Sequence, residues 1–166
     1  ELTEFSNGNE LPENLKHNFY SISNLENGIA LKEHQKEGIS WLQSLFKENF
    51  AGGLLADDMG LGKTLQLLYF IEWHCQQYDD NKPYLIVAPV SLLENWENEY
   101  QKFFSPQNLP LCKLYGSVSL TKENNPVKNQ QDAKRLQYKQ IILTNYETVR
   151  SYQISLGLID FAVIAL

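Results

Sequence analysis

The stretch Leu54-Leu55-Ala56-Asp57-Asp58-Met59-Gly60-Leu61-Gly62-Lys63-Thr64 constrains the fold of this chain more than any other feature. The short apolar run Gly53 to Ala56 predicts a buried parallel strand. Asp57 to Gly62 reads as a turn, and from Lys63 to Gln77 the residues Leu65, Leu68, Tyr69 and Glu72 fall at helical spacing. A strand that passes through a glycine-containing turn into a helix aims several backbone N–H groups at one point, and the helix N-terminus adds partial positive charge. Such a turn is suited to phosphate. Gly60 and Gly62 let the main chain approach oxygen atoms without a Cβ in the way. Lys63 is placed to reach β- and γ-phosphates, and the Thr64 hydroxyl to take one position on Mg²⁺. The strict phosphate-loop pattern has glycine where this chain has Asp57. An ordinary strand-to-helix turn with a capping Asp is the competing reading.

The alternation of strand and helix continues. Before the turn, Ile39, Leu42, Leu45 and Phe46, with Trp41 beside them, predict a helix from Leu31 to Phe50. After it, strands are expected at Tyr84–Ala88, Leu111–Tyr115, Gln140–Thr144 and Phe161–Leu166. Helices are expected at Ser91–Phe104, with Ser91 as N-cap and Glu94 completing a capping box, at Asp132–Tyr138, and as a turn at Tyr146–Ser151. Ser117 to Gln130 is polar and reads as a surface insertion. Strands that alternate with helices make a parallel sheet covered on both faces, so the expected fold is three-layer α/β/α with roughly five strands. At 166 residues one domain is the default. Glu1 to Ala30 is polar and Asn/Glu-rich, which separates a lead-in or accessory segment, 1–30, from the lobe at 31–166.

Composition narrows the function classes. Fourteen basic against twenty acidic residues give a net charge of −6, which argues against wrapping nucleic acid by bulk charge but leaves room for a local contact face. Two cysteines, Cys75 and Cys112, make neither a disulfide framework nor a four-ligand zinc site, which points to a reducing compartment. No apolar run approaches the ~20 residues that span a bilayer, so no membrane partner is expected. His17, His34 and His74 show no metal-ligand spacing, and no Ser-His-Asp or Cys-His nucleophile arrangement stands out. Asp79-Asp80 reads as a solvated loop.

The string Leu55 to Gln66 resembles motif I of the SWI/SNF-type ATPases, a branch of helicase superfamily two. In that family an Asp commonly stands at the place of Asp57. Three further stretches agree in order and spacing. Leu31 to Leu42 resembles the adenine-reading Q-type segment, Tyr84 to Trp96 resembles motif Ia, and Ile142 to Arg150 resembles motif Ib. The family usually has Arg-Pro in place of Lys32-Glu33 and often Tyr in place of His34.

The resemblance implies the first RecA-like lobe of a DNA-stimulated ATPase, with ATP and Mg²⁺ as cofactors. It implies that Gln35 reads the adenine edge and that Asp57, Asp58, Met59, Gly60, Leu61, Gly62, Lys63 and Thr64 cradle the phosphates, with Lys63 and Thr64 acting in catalysis. Ser91, Thr144 and Tyr146 would contact nucleic acid, with a plain cap as the competing reading of Ser91 and the end of a strand as that of Thr144. Trp41, Trp73 and Trp96 read as core residues. The implied partners are duplex DNA, a second RecA-like lobe of the same parent chain, and a DNA-bound protein target. The implied localisation is the bacterial cytoplasm or nucleoid, or the nucleus of a eukaryote. Because the family's Asp-Glu-x-x box would follow the strand at Phe161–Leu166, and the second lobe carries the arginine finger, the expectation is that residues 1–166 alone do not hydrolyse ATP efficiently. Two other classes fit less of the chain. Another P-loop nucleotide hydrolase or kinase explains motif I only, and a degenerate, non-catalytic DNA- or protein-binding module explains the fold without the chemistry.

Overall fold

A computed structural model describes residues 18–22, 30–78, 80–104, 109–118 and 120–166. Four parallel strands, β1 (Tyr84–Val87), β2 (Leu111–Leu114), β3 (Ile141–Thr144) and β4 (Val163–Ala165), form one sheet in the order β2-β3-β1-β4. Tyr84 lies opposite Ile141 and Val87 opposite Thr144, so β1 and β3 end at the same edge. Side chains alternate across a strand. Tyr84, Ile86, Ile141 and Leu143 therefore enter one core, and Leu85, Val87 and Ile142 enter the other. That double burial explains the uninterrupted apolar runs of the two central strands.

The first core is covered by α1 (Glu33–Lys47), α2 (Lys63–Gln77) and α3 (Leu93–Phe103). The second is covered by α4 (Pro126–Leu136) and α6 (Gln153–Gly157), while α5 (Tyr146–Ser151) leads into α6. The expected three-layer α/β/α architecture is present. α2 lies between α1 and α3 and is buried on nearly every side from Leu65 to His74. Its polar residues have partners: His74 Nδ1 is 2.9 Å from the Tyr84 hydroxyl. At its C-terminal end the Lys139 ammonium donates to the carbonyls of Cys75 and Tyr78 at 2.9 and 3.4 Å, where a cation suits the helix dipole.

Four expectations change. First, Gly53–Ala56 is not a strand, and the sheet of the described residues has four strands. The chain leaves α1 through Asn49 in the left-handed region (φ 59°) and passes over Trp41 and Leu45, where only a residue without Cβ fits at position 53. Two consecutive glycines weaken strand character. Second, Ser91 is not an N-cap. Pro89 (φ −53°) accepts a hydrogen bond from the Leu92 amide, so the segment opens with a 3-10 turn at Val90–Leu92, and α3 starts at Leu93. Third, α4 begins at Pro126 rather than near Asp132, inside the stretch read as an insertion. Asn125 Oδ1 accepts from the Lys128 amide at 3.1 Å, and proline occupies the first helical position, where it needs no N–H. Fourth, α6 adds a short helix beyond the expected turn.

Part of the 1–30 segment lies outside the described residues, but 18–22 dock on α1 and α2. The buried Gln43 amide accepts from the Tyr20 N–H at 3.0 Å and donates to the Tyr20 carbonyl at 2.8 Å. The Tyr69 hydroxyl accepts from the Ile22 amide at 3.1 Å. The Lys47 ammonium sits 3.2 Å from the Tyr20 ring centroid, a cation–π contact.

Candidate phosphate loop and its surroundings

Asp57 to Gly62 turn directly into α2, whose N-cap is Gly62. Gly60 and Gly62 have φ of 87° and 81°, a left-handed backbone that favours glycine. A Cβ on Gly62 would also stand 2.6 Å from Gln35 Nε2. A Cβ on Gly60 would meet nothing within 4 Å, so that side of the loop is open. Asp58, Met59 and Gly60 are exposed, Met59 by 96%.

The Lys63 ammonium donates to the carbonyls of Asp57 and Asp58 at 2.6 and 2.9 Å. It therefore sits over the loop it would serve, held by oxygens that a phosphate oxygen could replace or join. Thr64, half-buried in the first turn of α2, follows it. Glycines of this conformation, an ammonium folded onto the loop and a hydroxyl one residue later are a donor set that fits a phosphate chain with its Mg²⁺. Among the described residues no group of three His, Cys, Asp or Glu side chains could hold a metal by itself.

The N-terminal turn of α1 closes one side of the loop. Gln35 is buried, its Oε1 accepting from the Lys32 amide at 3.0 Å and its Nε2 donating to the Leu61 carbonyl at 3.3 Å. His34 Nε2 lies 3.3 Å from the same carbonyl. Each end of the Gln35 amide thus has one partner, which leaves its second N–H and second lone pair for an adenine edge.

Gln66, one helical turn after Lys63, is 0% exposed. It donates to Asp57 Oδ2 at 3.2 Å and to the Leu61 carbonyl at 3.4 Å. Sequence reading took it only as the end of the motif string. The available signal was a polar side chain three residues after Lys63, inside the otherwise apolar run Leu65 to Ile71.

The residues expected to touch nucleic acid separate into two groups. Ser91 is exposed in the 3-10 turn after β1, flanked by exposed Val90 and Leu92. Tyr146, 52% exposed, opens α5 after β3. The Ala88 amide donates to the Thr144 carbonyl at 3.0 Å, so the two chains leave the sheet side by side. Thr144 itself is 0% exposed, and its hydroxyl donates to the Leu114 carbonyl at 2.6 Å. Its side chain is used inside the sheet, as in the strand-end reading given for that residue. Trp96 is half-buried and, like Trp41, lies at or beside the first core, while Trp73 is wholly inside it.

Comparison with known proteins places this geometry. Zorya protein ZorD of Escherichia coli O139:H28 is 46% identical over 147 residues, which cover 80% of this chain and 14% of ZorD. Helicase SWR1 of Saccharomyces cerevisiae is 39% identical over 103 residues, covering 62% of this chain and 7% of SWR1. The solved SWI2/SNF2 ATPase core of Sulfolobus solfataricus in complex with dsDNA superposes with a TM-score of 0.57 at 34% identity, over 73% of this chain and 22% of that core. This chain therefore spans a small part of the length of each. The family model described as SNF2-related domain matches residues 34–166, from the first turn of α1 through β4. By that match, and by the parallel sheet and loop geometry above, the chain belongs to the SNF2-related domain family and is the first RecA-like lobe of a helicase superfamily two protein.

Proposed function

We propose that this lobe binds the nucleotide of a parent ATPase that moves along duplex DNA and remodels protein–DNA complexes. The observation that carries this reading is the Asp57–Thr64 loop, with Gly60 and Gly62 left-handed and the Lys63 ammonium folded onto its carbonyls. In the loaded protein, Lys63 would transfer its hydrogen bonds to the β- and γ-phosphates. The amides at the start of α2 would complete the cradle, and the Thr64 hydroxyl would hold Mg²⁺. Mg²⁺ supplies charge neutralisation on the phosphate oxygens. Gln35 would meet the adenine, with Asp58, Met59, Gly60, Leu61 and Gly62 lining the phosphates. Residues 31–166 are the nucleotide-binding lobe in this proposal, and residues 1–30 an accessory segment.

Ser91 and Tyr146 would contact DNA phosphates from the carboxyl edge of β1 and β3, Ser91 from the 3-10 turn that follows β1. A second RecA-like lobe would close over the nucleotide and contribute an arginine, so that binding and hydrolysis alternately close and open the pair. Without that lobe, residues 1–166 alone turn over ATP poorly. The relatives named above support the reading through a dsDNA-bound ATPase core and a helicase. The setting is the nucleus of a eukaryote or the cytoplasm of a bacterium; among the described residues no helix is long and apolar enough to cross a membrane.

The test is ATP hydrolysis by the parent protein with and without duplex DNA. Hydrolysis is expected to rise with duplex DNA and to fall at least a hundredfold in Lys63→Ala, with the fold unchanged by circular dichroism. Hydrolysis that ignores DNA would favour a different P-loop hydrolase or a kinase, and its absence would favour a binding module.

A further inference from the structure

The structure gives Asp57 an environment unlike that of the glycine it replaces in the strict phosphate-loop pattern. Its carbonyl faces the Lys63 ammonium, while its carboxylate faces the Gln66 amide nitrogen between α1 and α2. Gln66 is wholly buried there. The orientation of its amide is dictated by its neighbours: Asp57 Oδ2 and the Leu61 carbonyl are both acceptors, so the NH₂ group must face them. The Gln66 Oε1 atom is then left buried with no hydrogen-bond partner among the described residues. It lies against Gly38 of α1, so close that a Cβ at position 38 would stand 1.9 Å from it.

A buried glutamine with one end unsatisfied is a poor choice for stability, since an apolar side chain of the same shape would avoid the unpaired acceptor. What the glutamine does provide is a bridge between the first residue of the loop, Asp57, and its fifth, Leu61. An acidic side chain at the start of a phosphate loop would repel the anion if it faced the cradle. Here the Gln66 amide keeps it turned into the protein. His34 and Gln35 add their side chains to the same Leu61 carbonyl from α1.

We propose that Gln66 is a positioning residue for the phosphate loop. It holds the Asp57 carboxylate away from the bound anion and fixes the Leu61 peptide, and Gly38 is glycine because the Gln66 amide occupies the space of its Cβ. This rests on the reading of residues 57–64 as a nucleotide site and adds to it a part that touches no nucleotide.

The experiment is titration of the parent protein with a fluorescent MgADP, alongside steady-state ATP hydrolysis. Gln66→Met keeps the volume and removes both the donor and the unpaired acceptor. It is expected to leave the melting temperature unchanged or raised, to weaken MgADP binding and raise KM about tenfold, and to leave kcat within about threefold. Gln66→Glu sets two carboxylates face to face and is expected to weaken binding by more than tenfold. Adding Asp57→Asn to Gln66→Glu reverses donor and acceptor between these two positions but leaves the Leu61 carbonyl facing a carboxylate, so it should bring affinity part of the way back, clearly above that of Gln66→Glu alone.

A Gln66→Met protein that binds MgADP within twofold of native would overturn the proposal, whatever happens to its stability. So would a double variant no better than Gln66→Glu alone. If the native protein and Lys63→Ala both fail to bind MgADP, the nucleotide reading falls and this inference with it. Native binding that Lys63→Ala loses but Gln66→Met retains would overturn the inference alone.

Discussion

Two four-residue apolar runs, Tyr84–Val87 and Gly53–Ala56, each lead into a turn and then a helix, and they meet opposite fates. The first is a fully buried strand of the sheet, with β3 on one side and β4 on the other. The second pairs with no strand among the described residues, and Leu54 is 83% exposed. Apolar composition is common to both, so it does not explain the difference. What β1 has is a hydrogen-bonded neighbour along each edge and a helical layer on each face. Residues 53–56 have Gly52 and Gly53 at their start and the phosphate loop at their end. A parallel strand is a property of its surroundings more than of its own side chains. The loop residues are chosen for backbone freedom and open surface, and those choices do nothing for burial.

Substitutions can break this contrast. Ile142, 0% exposed at the centre of β3, should lose about 2–5 kcal/mol on change to Ala through lost burial and the cavity left behind. Met59→Ala at the loop tip should stay within about 0.5 kcal/mol. Hydrogen exchange of β3 amides in the parent protein reads both, and equal effects at the two sites would erase the distinction. A smaller loss is expected where the sheet meets its carboxyl edge. Thr144→Val keeps the shape but leaves the Leu114 carbonyl without its 2.6 Å partner, at a cost of about 1–3 kcal/mol. The same variant should leave DNA affinity unchanged, whereas loss of DNA affinity would restore a direct contact to Thr144.

The smallest effect is a pH dependence inside the first core. Burial holds the His74 ring below its ordinary value of 6.5, the nearby Asp80 charge opposing this in part. The unfolded chain then binds a proton at a higher pH than the folded one. Stability should be flat above about pH 7 and fall as the pH drops through 6.5 toward the folded value, by at most ~1.4 kcal/mol per pH unit. His74→Gln should flatten that window in a melting-temperature series between pH 7 and pH 5, while a rise in stability on acidification would reverse the assigned sign.

The parts of the fold legible in the sequence are those where one local signal meets no competitor. α2 starts at Lys63 and ends at Gln77 as the helical spacing and the preceding glycine indicate, and β1 and β3 lie within their apolar runs. The Ser91 cap fails because Pro89 is a stronger local constraint than a hydroxyl, and it starts a tighter turn first. The α4 start was hidden by composition. Asn125-Pro126 is a helix opening, but it sits in a polar stretch that reads as a loop. At the site, the glycines and Lys63 carry their roles in their own chemistry. Gln66 and Gly38 do not, because each acquires meaning only when α1 and α2 pack against each other. Thr144 belongs to the same class: a hydroxyl at a strand end looks available until β2 supplies the carbonyl that takes it.

The Gln43 side chain imitates a neighbouring strand, giving Tyr20 both halves of a main-chain pairing from a single amide. Gln35, eight residues earlier on the same helix, touches Leu61. At 1.5 Å per residue the two grips are about 12 Å apart on one stiff rod. One helix thus ties the backbone at Tyr20 and the turn around Leu61 to a common rigid element.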